Sequence, residues 1–203
     1  MKKISKLFQL IELTRSQPQY GYALSGIQQD ELSNLAEHHY LVTFMAWQLA
    51  RLVIRAGVEI DMAKVLEYSL IHDLGELFGG DICMPYAKAN PEARKHAKAF
   101  EEENQKYLAK FFGEDEEYFK SLAKEIMDAD TNESLISKLA DYIECTHYKI
   151  YVGKYFDSDK ELMRFKLGEK VAKFKDEKVR QVMSQFVNEW LEGLENKAEV
   201  SFE

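Results

Sequence analysis

Helical periodicity runs through nearly all of this 203-residue chain, broken by only three prolines, and no stretch alternates apolar and polar residues as a half-buried strand must. That pattern predicts an all-α fold, a single-domain helical bundle over residues 1–203, without internal repeat, low-complexity linker or visible domain boundary. A chain this long buries roughly 70% of its unfolded surface. With 46% apolar residues, including 12 Phe and 11 Tyr, it has the material for a sizeable core.

Local signals divide the chain into helices. Ile4, Leu7, Phe8 and Ile11 form one apolar stripe, predicting a first helix over Ile4 to Thr14. After a loop holding Pro18, Gly21 and Gly26, Ser33-Asn34 offers a helix start for Leu35 to Ala56, closed by Gly57. That segment is apolar on most faces and is expected to be central and buried. Asp61 is the expected N-cap of a helix from Met62 to about Phe78, ended by Gly79-Gly80. Asn90-Pro91 starts another that runs to Phe112, with Gly113 after it. Shorter helices are expected over Glu116 to Met127 and from Thr131 or Asn132 to near Gly153. The C-terminal helices, about 159–196, include an amphipathic one on Val179, Val182, Met183, Phe186, Trp190, Leu191 and Leu194.

Charge and cysteine usage narrow the function classes. A net charge of −8, with acids interspersed among lysines, argues against a nucleic-acid surface, which needs a basic patch. A small anionic substrate remains compatible, because a metal and a few local cations outweigh the global sign near a site. Cys83 and Cys145, 62 positions apart, predict two reduced and mostly buried thiols. Lys6, Gln9 and Glu12 interrupt the apolar run that a secretion signal would need, and no segment is long and apolar enough to span a membrane. The expectation is a soluble, cytoplasmic protein with no membrane partner.

Chemistry concentrates in Ile71-His72-Asp73-Leu74-Gly75-Glu76 and the Gly79-Gly80-Asp81 that follows. His72 and Asp73 both bind divalent metals, and with His38 upstream and Asp141 downstream they would make a two-histidine, two-aspartate site. Each residue alone has an ordinary alternative: a structural histidine at a helix start, a salt-bridged aspartate. The combination points to metal, because three of the five histidines lie at these two places. Asp141 also sits among Leu139, Ala140 and Ile143, where an unpartnered carboxylate would be costly.

His38…His72-Asp73…Asp141 resembles the HD-domain phosphohydrolase superfamily. Ala36-Glu37-His38, His72-Asp73-x-x-Glu76, Gly80-Asp81-Ile82 and Leu139-Ala140-Asp141 resemble its branch of YfbR-type bacterial 5′-deoxynucleotidases, over roughly residues 10–150. In that family the liganding histidine follows an acidic residue, which makes His38 the ligand and His39 a supporting or packing residue. His96 is the one further histidine between the His-Asp pair and Asp141, so the resemblance implies one divalent ion, Co, Mn, Ni, Fe, Zn or Mg. It implies Glu76 and Asp81 as acid–base residues and a metal core at about 34–150. The family's substrate loop corresponds to Arg15-Ser16-Gln17-Pro18-Gln19-Tyr20-Gly21-Tyr22. Tyr22 stands where a Trp is expected and Gln19 near where an Arg is expected, leaving Arg15 and Lys88 as candidate phosphate cations. The implied activity is a 5′-nucleotidase on (deoxy)nucleoside 5′-monophosphates, working as a homodimer. The alternatives are hydrolysis of another nucleotide phosphoester, or a non-catalytic nucleotide-binding module.

Overall fold

The structure, a computed structural model, describes residues 2–194. The described residues form nine α-helices: α1 (Lys2–Ile11), α2 (Leu35–Arg55), α3 (Met62–Ile71), α4 (Met84–Ala89), α5 (Pro91–Ala109), α6 (Glu116–Asp128), α7 (Asn132–Tyr151), α8 (Asp157–Val171) and α9 (Glu177–Gly193). Short 3₁₀ turns occupy much of the space between α1 and α2, and no strand occurs among the described residues, only an isolated bridge between Pro18 and Asn34. The fold is all-α as expected. Residues 195–196, the end of the expected last helix, lie outside the described residues. No helix among the described residues is long and apolar enough to cross a membrane.

The chain divides into two compact units, one built from residues up to His39 and from Ile71–Lys124, the other from Tyr40–Leu70 and from Glu125 onward. In the second unit, α2 contributes Val42, Ala46, Leu49, Ala50 and Val53 to a buried core. They meet Leu135, Ile136, Leu139 and Ile143 of α7 and the four-residue repeat Val179, Met183, Val187, Leu191 of α9. Each set falls on one helical face, so burial of these stripes holds the helices together. The reading of α2 as buried on most faces is corrected here. Tyr40 and Phe44 are 68% and 51% exposed, since a helix packed along one stripe leaves its opposite face to solvent whatever residues it carries. Caps set the starts: Asp61 Oδ1 accepts from Lys64 N at 3.1 Å, and Thr131 Oγ1 from Ser134 N at 3.2 Å.

One contact in this unit ties stability to pH. Trp190 Nε1 donates to His147 Nε2 at 3.0 Å, which requires that nitrogen to be unprotonated. Burial holds the imidazole below the ordinary histidine value, with Glu144 pulling the other way. A histidine depressed in this way binds its proton more readily in the unfolded chain. Its contribution is therefore whole above about pH 6.5 and is lost as pH falls through the folded value. Urea midpoints should drop further between pH 7.5 and pH 5 in the wild type than in His147→Gln; equal drops would remove His147 from the pH response.

The first unit has its own smaller core. Leu74 and Leu77 pack with Leu108 and Ala109 of α5 and Phe119 of α6, while Phe112 stacks on Phe119 with ring centres 4.0 Å apart. Asn90 caps α5 by accepting from Ala93 N at 3.2 Å. This core supports the segment from Ile71 to Leu77 that carries the His-Asp pair.

Candidate metal centre

Two segments of the first unit carry the converging side chains. Asn34 starts α2, its Oδ1 accepting from Glu37 N at 3.0 Å, which sets His38 and His39 in the first turn, both buried. The second segment departs from the expected helix. Rather than running to Phe78, α3 ends at Ile71, Asp73 leaves helical geometry (φ −118°, ψ 16°), and Leu74–Glu76 forms a single 3₁₀ turn. The cause is α5. Gly75 lies so close to it that a Cβ would come 2.9 Å from the Glu101 carbonyl oxygen, and Asn104 Nδ2 donates to the Gly75 carbonyl at 2.6 Å. Consecutive residues on a helix point about 100° apart. Freed from the helix, His72 and Asp73 face one point.

Their geometry is compatible with a shared metal ion. His38 Nε2 lies 3.0 Å from His72 Nε2, and Asp73 Oδ2 lies 3.5 Å from the first and 3.4 Å from the second. Charge-assisted N–H···O bonds run about 2.7–2.9 Å, so both His-Asp contacts are too long to be good ones. With metal–ligand bonds of about 2.0–2.2 Å, donors around one ion stand about 3.0–3.5 Å apart. The three atoms have that spacing, and two imidazoles with a carboxylate suit a divalent ion. This His/Asp cluster could hold a metal ion. His39 packs its ring 4.9 Å from that of His72, a neighbour of the cluster.

The other expected residues fall as follows. Glu76 is half-buried in the turn after Asp73. Gly79 and Gly80, at φ +95° and +115°, reverse the chain in a conformation that side-chain-bearing residues rarely adopt. Asp81 follows, and its Oδ2 accepts the Gly21 N–H at 2.6 Å. Cys83 Sγ donates to the Tyr20 carbonyl at 3.0 Å. The loop is fastened on its other side as well, by Gln19 N to Ser33 O at 2.9 Å and Leu35 N to Gln17 O at 3.0 Å. Residues 17–21 are thus tied to the start of α2 and to the stretch from Asp81 to Cys83. Neither the Asp81–Gly21 bond nor the hold of Asn104 on Gly75 leaves any local mark in the sequence. Tyr22 is buried, and the Gln19 Oε1 is buried with no hydrogen-bond partner among the described residues. Arg15 is exposed and pairs with Glu12 at 2.7 Å, and Lys88 is exposed in the last turn of α4. Asp141 belongs to the second unit, half-buried on α7, with Cys145 Sγ 3.7 Å from its Oδ1. Both cysteines are partly exposed rather than mostly buried, and neither forms a disulfide among the described residues.

Comparison with known families settles the membership. The HD domain family matches residues 11–187. The chain belongs to the HD domain family. HD domains form a superfamily of metal-dependent phosphohydrolases, and the all-α fold and the His/Asp cluster accord with that membership. Among solved structures, the PH0347 protein from Pyrococcus horikoshii OT3 is similar, with a TM-score of 0.65 and 19% identity over 91% of this chain and 96% of that one. A conserved hypothetical protein from Pyrococcus furiosus is similar with a TM-score of 0.63 and 22% identity over 93% of this chain and 99% of that one. At such identities the likeness is one of fold. No curated protein matches the chain.

Proposed function

We propose that this HD domain is a metal-dependent phosphomonoesterase of the YfbR-like kind, a 5′-nucleotidase releasing phosphate from (deoxy)nucleoside 5′-monophosphates. The observation that carries the reading is the loop 17–21, hydrogen-bonded on one side to the start of α2 and on the other to Asp81 and Cys83. A substrate-recognition loop is thereby held against the residues meant to do chemistry, the pre-organisation that catalysis requires. In this reading His38, His72 and Asp73 ligate one divalent ion, with Asp141 as the fourth ligand that the family's motif order supplies.

Such an ion, when bound, offers a Lewis acid to a phosphoryl oxygen and lowers the pKa of water toward neutrality. The remaining work falls to side chains. Glu76, three residues beyond Asp73, orients the attacking water and takes its proton as the new P–O bond forms. The bond between phosphorus and the sugar's 5′ oxygen breaks, and that oxygen gains a proton from Glu76 or Asp81. Gln19 offers its buried carbonyl to a substrate donor, which would relieve the cost, about 1–3 kcal/mol, of leaving an acceptor unmatched. Arg15 and Lys88 are the proposed phosphate cations, and Tyr22 supports the sugar side of the loop. By resemblance the enzyme is a cytoplasmic homodimer.

A phosphate-release screen over nucleoside mono-, di- and triphosphates, repeated with each candidate metal, should give turnover on 5′-monophosphates. Glu76→Gln should lower kcat by about 10²- to 10⁴-fold while elemental analysis finds the metal retained. Release confined to polyphosphates or diesters would move the chain to another HD activity. No release from any monophosphate by metal-loaded protein overturns the nucleotidase reading.

A further inference from the structure

We infer that the groove between α8 and α9 is a second ligand site, one that binds a small organic phosphate. The groove lies wholly within the second unit and shares no residue with the His38–His72–Asp73 cluster. Its volume is about 390 Å³, within the range of about 300–1,000 Å³ typical of small-molecule sites and more than inorganic phosphate needs.

The lining has a definite chemistry. Arg164 of α8 and Arg180 of α9 both face it, and among the described residues no carboxylate lines it. Among the described residues neither guanidinium makes an ion pair. Arg180 is oriented instead by an Nη1 bond to the Phe174 carbonyl at 3.1 Å, which leaves the rest of its fork available. Gln181, Ser184 and Asn188, at helical spacing along α9, add neutral donors, while Val187 and Leu191 make a buried apolar floor. Two guanidiniums with hydroxyl and amide donors match the acceptor-rich geometry of a phosphate, and the apolar floor suits an organic body.

Gly168 supplies an independent sign. It lies inside α8 and lines the groove, and apart from its chain neighbours and its own helix's backbone a Cβ there would meet no described atom within 4 Å. Glycine weakens a helix interior relative to alanine, yet nothing in the chain's own packing requires it here. What its missing side chain leaves is space in the groove, where a ligand can approach the backbone.

Titration calorimetry in EDTA tests this, because the chelator keeps divalent ions out of the His/Asp cluster. The probes are adenosine 5′-monophosphate, adenosine and inorganic phosphate. The monophosphate should bind one-to-one, and each partial probe at least about tenfold more weakly. Arg164→Gln should weaken monophosphate binding about tenfold or more, as loss of a charged hydrogen-bond donor does. Gly168→Leu should do the same by filling the groove while melting no lower than the wild type, with Gly168→Ala as the milder variant if it does. His72→Ala should leave binding unchanged. The inference is overturned by absence of monophosphate binding, by unchanged affinity in Arg164→Gln and Gly168→Leu, by phosphate binding as tightly as the nucleotide, or by loss of binding in His72→Ala.

Discussion

Asp73→Ala is expected to empty the metal site and end phosphate release together. Asp73 supplies the carboxylate oxygen that lies 3.5 Å and 3.4 Å from the two buried imidazole nitrogens. Losing even an outer partner of a metal ligand typically costs about 10- to 100-fold in affinity or activity, so a direct ligand should cost at least about 10²-fold. A readout besides activity is available. Metal at about 100 times its Kd stabilises a folded chain by about 2.7 kcal/mol. For a chain of about 200 residues that corresponds to roughly 5–10 °C in Tm. Chelation should therefore lower the wild-type melting point by about that much and leave Asp73→Ala unmoved. Full metal occupancy in Asp73→Ala, measured by elemental analysis, would show that the cluster is not the metal site.

The elements that sequence reasoning located well are those whose ends are written locally. Asn90 followed by Pro91, Thr131 three residues before Ser134, and Asp61 three before Lys64 each cap their own helix with their own side chain. The stripe of α9 was legible for the same reason, since Val179, Met183 and Leu191 repeat at helical spacing and are buried. Where the expectation failed, the deciding contact lay far off in sequence. Met62 to Phe78 reads as one helix until Asn104, 29 residues beyond Gly75, takes the Gly75 carbonyl. Likewise α2 reads as buried because Leu41, Phe44 and Trp47 are apolar, but which face meets the core depends on α7 and α9. The short helix α4 had only Pro85 to announce it, too little for periodicity to act on.

The site shows the same division. His72 and Asp73 were legible as a pair, and His38 through its acidic neighbour Glu37, because ligand chemistry depends on residue type. Their convergence was not, since adjacent residues on a continuous helix would diverge. Asp81 was legible as a carboxylate near a turn, whereas its bond to Gly21, 60 positions away, needed the folded chain. Residue chemistry is local and geometry is not, which is why the His-Asp pair could be singled out while the loop near it could not be placed.

Gly75→Ala tests that distinction directly, with a single methyl group placed where the turn meets α5. The added carbon would overlap Glu101 Cγ and lie 2.9 Å from the Glu101 carbonyl oxygen and 3.1 Å from Gln105 Cγ. The side-chain atoms can swing aside, but the carbonyl belongs to the α5 backbone and moves only if the helix does. Moving α5 also stretches the 2.6 Å Asn104–Gly75 bond, whose partners are buried. Overpacking costs about 1–3 kcal/mol and a weakened buried hydrogen bond about 1 kcal/mol more. A combined loss of about 2–4 kcal/mol lowers Tm by roughly 5–15 °C in a chain of this length. The same shift displaces His72 and Asp73, three and two residues away, and a displacement of about 1 Å at a reacting centre costs about 10²-fold in rate. Gly79→Ala is the matched control: it meets no atom within 4 Å and carries only the strain of its φ of +95°. Metal content and melting should therefore suffer more in Gly75→Ala than in Gly79→Ala. If the two variants behave alike, close packing against α5 does not hold the His-Asp pair in place, and the turn must owe its shape to the chain's own backbone preferences.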